Sequence, residues 1–565
     1  MLKKENGLLY LAIFISIISH WFWFVQDGPY TAGDWGFVYP QTVKEFLTIN
    51  SSWDSKWTMG GMIIGHGYYV LQIFHGTLGY LFDFNSSQCD LFVFFLPAIL
   101  FSTTSSYFFL KYLTKSSLAG FIGSLVFSYN TYFILIQNGH PSVAVANALT
   151  PLIVLFFMKT LKERSLRNAV VTGLFVALSS QYEPRITYII CWIMILYFLY
   201  DIIVEKKIEI KKAGLAGVVC TIVILCNLYW ILLLVFADSV ESTSFLRRDL
   251  FGAQFFNLQF AITSFSSSWT GGKPGIFTVE AIPVRFWLIP ILAFFPLVIG
   301  KVSKKIGFFY VLALVGIFLA KMSSNPFPEL YRWLFYHFPG FLAFREASKF
   351  YLIINLSFAV LIGHNVNLIY ELIKGHTRFA YVGRIFVFTV AGLYLFNIYP
   401  MLTQKFPLTK ARPIPLEYID VKKKLVQKDQ FFRTMGVLRR PFYFFAGNIQ
   451  PGLQADFIKT ELWKMPELNQ YDPKILKYSH MDWVFDAAGI RYVYIPSDPW
   501  NEMFDYVNEE GVAIQGFSGS KKEMEELMDD LAWLKNKKYF GEIIVYENHN
   551  YMPHLYTAQN IFFVD

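Results

Sequence analysis

The sequence holds 565 residues, of which 55% are hydrophobic, 19% aromatic and 16% charged. Soluble domains carry about a quarter charged residues, so this composition excludes a soluble chain and predicts an integral membrane protein. The formal net charge is +8, and Lys and Arg collect in the cytoplasmic loops of membrane proteins, which explains the excess without nucleic acid. The four cysteines fall in or beside apolar runs, and their spacing supports neither a disulfide framework nor a thiolate metal site.

Apolar runs long enough to cross about 30 Å of hydrocarbon recur along the first two thirds of the chain. We expect eleven transmembrane helices, at 7–25, 89–110, 118–136, 141–158, 166–181, 184–203, 213–237, 285–300, 306–320, 350–373 and 379–398. The first run ends in an aromatic belt and lacks a small-residue cleavage site, so we expect a retained anchor with a cytoplasmic N-terminus.

The run at 60–82 is long enough to span, but it is rich in glycine and contains two histidines. The distribution of charge decides its placement. If it does not cross, the short connecting loops with their fifteen Lys and Arg residues all face the cytoplasm. We therefore expect 60–82 to be re-entrant or interfacial, which puts 26–88, 238–284, 321–349 and everything after about residue 400 on the outer face.

The composition becomes a charged mixture after Pro400. Residues 1–399 are predicted to form a transmembrane domain and residues 400–565 a small extracytoplasmic α/β domain. Strand-like runs occur at 492–496 and 543–546, and a helical run extends from Lys521 to about Lys537. The predicted fold class is a polytopic α-helical membrane protein with a small C-terminal α/β soluble domain, located in the cell membrane.

The first outer segment opens with a glycine-rich and aromatic stretch, from Gly28 to Pro40, that places Asp34 close to the membrane. A carboxylate in this position suits a general base that deprotonates an acceptor hydroxyl while a lipid-borne donor lies at the bilayer surface. The alternative is an Asp that hydrogen-bonds its own backbone in a turn.

Two other outer turns carry candidate residues. Arg185 follows Glu183 and Pro184 at the start of a helix, where free N–H groups and the Arg fork suit phosphate oxygens. The alternatives for Arg185 are a local pair with Glu183 or snorkelling to lipid headgroups. His140 precedes Pro141 in another turn, where a hydrogen-bonded turn residue is the simpler interpretation.

The last candidate segment, 341–350, lies at the entry to the run at 350–373. If a helix has already begun there, Arg345, Ser348 and Lys349 share one face and offer two cations and a hydroxyl to a phosphate. The competing interpretation is that these residues anchor the span at the headgroups, or that Lys349 pairs with Glu346.

Together these motifs resemble the GT-C superfamily of membrane glycosyltransferases, above all its arabinofuranosyltransferase-like and YfhO-like members. The resemblance rests on the first-loop Gly-Asp motif, the Gly-His-Pro turn, the Glu-Pro-Arg turn and the Phe-Arg-Glu-Ala-Ser-Lys-Phe entry, in that order. The stretches 488–494 and 545–556 look like the soluble region that follows the membrane part of YfhO-like proteins. The resemblance thus covers most of the chain.

The resemblance implies inverting transfer of a sugar from a polyprenyl-phosphate-linked donor to an extracytoplasmic glycan, lipid or protein acceptor. It implies a base at Asp34 and donor-phosphate contacts from later outer loops, with these candidates: Arg185, Arg345, Ser348 and Lys349, then Glu183 and His140. Many relatives have Asp-Pro-Arg where this chain has Glu183-Pro184-Arg185, and some carry a second acid in the first loop. Those departures leave open whether a divalent cation takes part, and no metal site is predicted.

A flippase or other transporter of lipid-linked sugars on a related scaffold is the alternative function. Such a protein would line its spans with polar residues, which are few in this sequence. The chain also lacks a Walker-type phosphate loop, which disfavours an ATP-driven transporter. The expected partners are the lipid-linked donor, a glycan or lipid acceptor and membrane lipids, with no nucleic acid.

Overall fold

The computed structural model of the chain is mainly helical. It describes residues 6–25, 69–236, 255–267, 282–299, 304–374, 380–404, 415–425, 430–437, 476–497 and 521–553, together with short pieces between them.

Fourteen of the described helices, in chain order, are α1 (Gly7–Ser19), α2 (Tyr69–Phe82), α3 (Leu96–Thr114), α4 (Ser117–Ser128), α5 (Thr131–Gly139), α6 (Pro141–Glu163), α7 (Leu166–Tyr182), α8 (Pro184–Glu205), α9 (Ile210–Phe236), α10 (Leu288–Ile299), α11 (Lys304–Ala320), α12 (Pro328–His337), α13 (Tyr351–Lys374) and α14 (Ala380–Leu395). Shorter α-helical pieces are Phe22–Val25, Ser86–Asp90, Leu258–Ile262 and Tyr399–Leu402. A π-helical piece, Leu91–Phe95, precedes α3, and 3-10 turns occupy Val284–Trp287, Phe341–Phe344, Ala347–Phe350 and Phe396–Ile398.

Each of the eleven predicted runs contains helix in the structure. Six of the described helices are long and apolar enough to cross a membrane, and a seventh is added if α4 and α5 are one bent span. The six are Ser86–Thr114, α6, α8, Ile210–Leu232, Ala347–Lys374 and Tyr381–Leu402. The chain is therefore a multi-pass membrane protein, while the count of eleven spans is not confirmed.

The run at 118–136 is two helices, α4 and α5, which meet at a bend of 50°. Asn130 explains the break, because Nδ2 donates to the carbonyl of Phe127 at 2.7 Å and Oδ1 accepts from the N–H of Phe133 at 2.8 Å. Asn favours such positions since its short amide competes with the helix backbone for hydrogen bonds. Asn355 of α13 also donates to Oδ1 of Asn130, at 2.8 Å, which fixes the bend against the bundle.

The segment predicted to be re-entrant or interfacial contains α2, a helix of 14 residues. At 1.5 Å per residue such a helix is about 21 Å long, which is short for a hydrocarbon core of about 30 Å. His75 of α2 contacts Asp90 at 3.1 Å and so fastens α2 to the start of the next span. Residues 63–68 lie outside the described part, and the placement of this segment relative to the membrane stays a prediction.

Two helices form the centre of the bundle. The most apolar stretch of α6 is 89% buried and that of Ala347–Lys374 is 78% buried. The corresponding stretch of Ile210–Leu232 is only 17% buried. Helix α6 packs against α3 and α7, and α13 packs against α4 and α11. Buried side chains from these helices form one continuous hydrophobic core.

Three helices end at a basic residue in the left-handed conformation. Lys115 follows α3, Arg164 follows α6 and Lys206 follows α8, with φ of 61°, 49° and 54°. Glycine is usual at such positions, but a basic side chain adds a favourable charge at the negative end of the helix dipole. These residues belong to the loops that the charge distribution predicts to be cytoplasmic.

A mixed five-stranded sheet follows the bundle in sequence. Its strands are ordered Gly452–Leu453, Arg433–Gly436, Ile490–Ile495, Ile543–Asn548 and Leu534–Phe540. The first three run parallel, and the last two pair antiparallel with their neighbours. Two-residue strands also pair antiparallel at Trp53–Asp54 with Gly61–Met62 and at Tyr506–Val507 with Ala513–Ile514.

The sheet has a hydrophobic core on each face. Tyr492 and Tyr494 pack with Tyr418 of helix α15 (Leu416–Leu425). Val493 and Ile495 point the other way and pack with helices α16 (Met481–Ala487) and α17 (Lys521–Asp529). Neither core shares residues with that of the bundle, which is consistent with a separate C-terminal domain, although its boundary at residue 400 stays a prediction.

The predicted helix from Lys521 to about Lys537 is wrong in its second half. Helix α17 ends at Asp529, and Leu534–Phe540 is a strand that pairs with Ile543–Asn548. Gly541, with φ of 57°, makes the turn between the two strands. Pairing in the sheet therefore overrides the helical pattern of the charged residues.

We expect Gly363→Ala in α13 to destabilise the bundle, because a Cβ there would lie 2.7 Å from the carbonyl oxygen of Ala119 in α4. Overpacking of this kind costs about 1–3 kcal/mol in the free energy of unfolding. The thermal midpoint of the detergent-solubilised protein measures the effect.

Gly217→Ala in α9 is the matched control, because nothing lies within 4 Å of the added Cβ. Ala favours a helix over Gly, so this variant should keep or raise the midpoint. Equal midpoints for the two variants would contradict the close approach of α4 and α13.

Candidate functional site

The predicted site residues fall into two groups. Asp34 lies outside the described residues. His140, Glu183, Arg185, Arg345, Ser348 and Lys349 are all described, and each lies just before or at the start of a helix or a 3-10 turn. Among the described residues, no three His, Cys, Asp or Glu side chains are placed to hold a metal ion.

Glu183 and Arg185 form a bidentate ion pair at the start of α8. Glu183 is the N-cap, with an extended backbone, and its carboxylate accepts from the backbone N–H of Arg185 at 3.1 Å. The same carboxylate accepts from Nε of Arg185 at 2.7 Å and from Nη2 at 2.9 Å. The Glu183 side chain is 3% exposed and that of Arg185 is 44% exposed. The local pair is thus formed by a buried carboxylate and a partly exposed arginine.

Glu346 and Lys349 repeat this arrangement before α13. Glu346 caps the 3-10 turn Ala347–Phe350, and its carboxylate accepts from the N–H of Ser348 at 2.9 Å and from Nζ of Lys349 at 3.0 Å. The side chains of Glu346 and Lys349 are 7% and 11% exposed. The competing interpretation, an ion pair three residues apart, is what the structure contains.

The expectation that Arg345, Ser348 and Lys349 share one helical face is wrong. Residues 345 and 346 separate two 3-10 turns, and the α-helix begins only at Tyr351. As a result Arg345 is exposed while Ser348 and Lys349 are buried. The break follows from Glu346, whose extended backbone and capping carboxylate start a new turn at this point.

The two ion pairs act on each other. Loss of water opposes ionisation of Glu183, but the cations of Arg185 and Lys349 outweigh that cost and lower the pKa of the carboxyl below its usual range. Lys349 is in turn influenced by the charges of Arg185 and Glu183 as well as by Glu346. With both carboxylates ionised, the four groups carry no net charge.

His140 joins this cluster from the junction of α5 and α6. His140 retains exposed surface, yet the surrounding protein desolvates its imidazole. Desolvation, together with the cations of Lys349 and Arg185, lowers the pKa of His140 to about 4. The imidazole is therefore neutral at pH 7 and adds no charge to the cluster.

Tyr132 of α5 is a residue of the cluster that the sequence did not single out. Its side chain is 1% exposed and lies within electrostatic range of Glu346, Glu183 and Arg185. The hydroxyl has no hydrogen-bond partner among the described residues, and a buried hydroxyl in this state is a candidate contact for a ligand. A tyrosine inside an apolar run reads as packing, so no local signal marks it.

Comparison with solved structures identifies membrane enzymes of related shape. A mutant of the arabinofuranosyltransferase AftD from Mycobacteria matches with a TM-score of 0.63 at 12% identity, over 96% of this chain and 42% of AftD. Another AftD structure matches with a TM-score of 0.57 at 12% identity, over 96% of this chain and 40% of AftD. ArnT from Cupriavidus metallidurans matches with a TM-score of 0.47 at 12% identity, over 97% of this chain and 98% of ArnT.

This chain has the GT-C fold. The resemblance drawn from the sequence motifs is thereby confirmed at the level of the fold. The chain spans about two fifths of the length of AftD. No protein-family model and no curated protein sequence matches it.

The cluster within this fold combines fixed charges with accessible donors. It consists of Tyr132, His140, the Glu183–Arg185 pair and the Glu346–Lys349 pair. The carboxylates hold their cations in place before any ligand arrives. Two of the five N–H groups of Arg185 are used by Glu183. Such an arrangement suits an anion that is bound by direction and shape rather than by excess charge.

We expect Glu346→Gln to destabilise the protein strongly, because it leaves the Lys349 ammonium buried without its carboxylate. Breaking a buried pair typically costs about 3–5 kcal/mol. The double variant Glu346→Gln/Lys349→Met should recover most of the loss, as measured by thermal midpoints in detergent.

Glu371→Gln provides the control, since Glu371 and Lys374 form an exposed pair at 3.9 Å, and such pairs contribute little. A double variant at Glu346 and Lys349 that stays as unstable as Glu346→Gln alone would mean that Glu346 stabilises the turn by capping rather than by holding Lys349.

Proposed function

We propose that the chain is a membrane glycosyltransferase that moves a sugar from a polyprenyl-phosphate-linked donor to an extracytoplasmic glycan, lipid or protein acceptor. The observation that carries this proposal is the convergence of two ion pairs, His140 and Tyr132 at one end of the helices of a GT-C fold. Glycosyl transfer is also the activity named for AftD, whose fold the chain shares.

The proposed orientation places this cluster outside the cytoplasm. Helix α6 carries His140 next to its first residue and Lys159 and Lys162 near its last. Its 23 residues correspond to about 35 Å at 1.5 Å per residue, so these groups lie at opposite ends of one span. Lys and Arg favour the cytoplasmic side, which puts the His140 end outside and the N-terminus inside.

The donor phosphate is assigned to the exposed cations. Arg185 and Arg345 are exposed, whereas Ser348 and Lys349 are buried. We therefore propose direct phosphate contacts from the two arginines. Lys349 is proposed to act indirectly, through its charge interactions with Glu183 and Glu346.

The proposed chemistry is a single displacement at the anomeric carbon. The acceptor hydroxyl oxygen forms a bond to that carbon while the bond from the carbon to the donor phosphate oxygen breaks, which inverts the configuration. Asp34 takes the hydroxyl proton as general base. The leaving phosphate keeps the electron pair, and Arg185 and Arg345 stabilise the negative charge that develops on it.

We expect Asp34→Asn to reduce transfer by about 10²–10⁴-fold while donor binding is retained, because Asn keeps the shape but cannot accept the proton. The assay uses the purified protein with a polyprenyl-phosphate sugar and measures transfer and donor affinity separately. Activity within about threefold of the parent would remove Asp34 from the mechanism.

We expect Arg185→Lys to weaken donor use by about ten- to a hundredfold, because Lys cannot form the bidentate contact and one charge-assisted bond is worth roughly 1.5–3 kcal/mol. The measurement is kcat/KM for the donor at fixed acceptor concentration.

Arg332→Lys is the matched control for Arg185→Lys. Arg332 is also 44% exposed and also pairs with a glutamate, Glu329, at 3.0 Å, but the proposal gives it no contact with the phosphate. If both variants change kcat/KM equally, Arg185 acts through general stability and the phosphate binds elsewhere.

An assay without compartments distinguishes a transporter on the same scaffold from the proposed transferase. Detergent solution has no two sides, so a transporter alone yields no glycosylated product there, whereas a transferase does. Polar groups inside the bundle bond to one another, as in the contacts of Ser16 with Thr103 and of Ser19 with Tyr129, both at 2.9 Å. No described feature specifically favours transport.

A further inference from the structure

Three lysines gather around one tyrosine ring at the end of the bundle opposite to the candidate site, and a fourth lies beside them. The ammonium groups of Lys115, Lys159 and Lys162 lie 4.9, 5.3 and 5.8 Å from the centroid of Tyr112. Lys305, at the start of α11, is close enough to Lys162 and Lys115 for their charges to act on it. We call Lys115, Lys159, Lys162 and Lys305 the lysine cluster.

The lysine cluster has no acidic counterpart in the described part of the chain. No described carboxylate lies within ion-pair distance of any of its four ammonium groups. Glu163, whose charge acts on Tyr112, accepts a hydrogen bond from the side chain of Asn168 at 2.9 Å. Arg164, next along the chain, is by contrast held by both oxygens of Glu209, at 2.8 and 2.9 Å.

A tyrosine face attracts cations but carries no net charge. The ring therefore does not neutralise the lysine cluster, and its members repel one another. Scattered basic residues would satisfy the preference of Lys and Arg for cytoplasmic loops without this repulsion. Lys374 illustrates the ordinary case, since it lies beside Tyr370 but has Glu371 at 3.9 Å.

The lysine cluster lies where lipid phosphates are found. Lys115 directly follows the span that ends at Thr114, and Lys159 and Lys162 occupy the last turns of α6. The ends of two spans mark the boundary between hydrocarbon and headgroups. Clustered basic residues at this depth are the usual means of binding anionic headgroups.

We propose that the lysine cluster binds the phosphate of an anionic phospholipid in the adjacent leaflet, which the charge distribution predicts to be the cytoplasmic one. The lipid phosphate supplies the negative charge that the described residues lack, and the Tyr112 ring fixes the lysine side chains around it. This site is independent of the proposed transfer reaction, because α6 separates it from His140 by about 33 Å.

The test compares lipid binding to the full-length protein in zwitterionic detergent by native mass spectrometry. Phosphatidylglycerol, phosphatidylcholine with the same acyl chains, and inorganic phosphate are the three probes. The parent should prefer phosphatidylglycerol by at least about tenfold. The variant Lys115→Gln/Lys159→Gln/Lys162→Gln should lose at least about tenfold in apparent affinity for it, with no change for phosphatidylcholine.

The control variant Lys206→Gln/Lys207→Gln/Lys374→Gln removes the same charge from the same predicted face and should bind like the parent. Lys159→Arg/Lys162→Arg keeps the charge and should also bind like the parent, which separates loss of charge from loss of folding. Equal losses in the Gln variant and its control would overturn the proposal. Displacement of phosphatidylglycerol by millimolar inorganic phosphate would also overturn it, because the ligand would then be free phosphate.

Discussion

Two glutamates, Glu183 and Glu346, each begin a turn of helix and hold a cation two or three residues further on. Burying a charge is costly unless it is paired and hydrogen-bonded. Each carboxylate pairs with its cation and also accepts a hydrogen bond from a backbone N–H. The positions of Arg185 and Lys349, and therefore the electrostatics of the whole candidate site, depend on these two contacts.

The bilayer imposes a second constraint, which is visible along α6. Charges are expensive inside the hydrocarbon, so they collect at the ends of spans. At the N-terminal end of α6, His140 is neutral, and the charges of the two neighbouring ion pairs cancel. At the last end, Lys159 and Lys162 share a ring with Lys115 and have no described acid to balance them. One helix thus joins a balanced site to an unbalanced one.

The sequence predicted those features that depend on local chemistry. Apolar length gave the helical runs, and the pairing of Arg185 with Glu183 and of Lys349 with Glu346 could be named as alternatives because each pair is close in sequence. The break at Asn130 was missed although its hydrogen bonds to Phe127 and Phe133 are local, because the apolar run continues through it to residue 136. The approach of His140 and Tyr132 to Glu346 depends on packing between distant helices, which no local pattern encodes.

The two charged ends are proposed to bind anions by different means. The two ion pairs of Arg185 and Lys349 offer a phosphate no excess charge beyond that of Arg345, so we expect this end to select by the direction of its N–H groups and by the fit of the bound sugar. An unbalanced cluster such as that around Tyr112 attracts any nearby anion and needs little geometry. Salt screens exposed, unpaired charges most strongly. Selectivity for one donor is therefore expected at the balanced end, and tolerance of varied anionic lipids at the other.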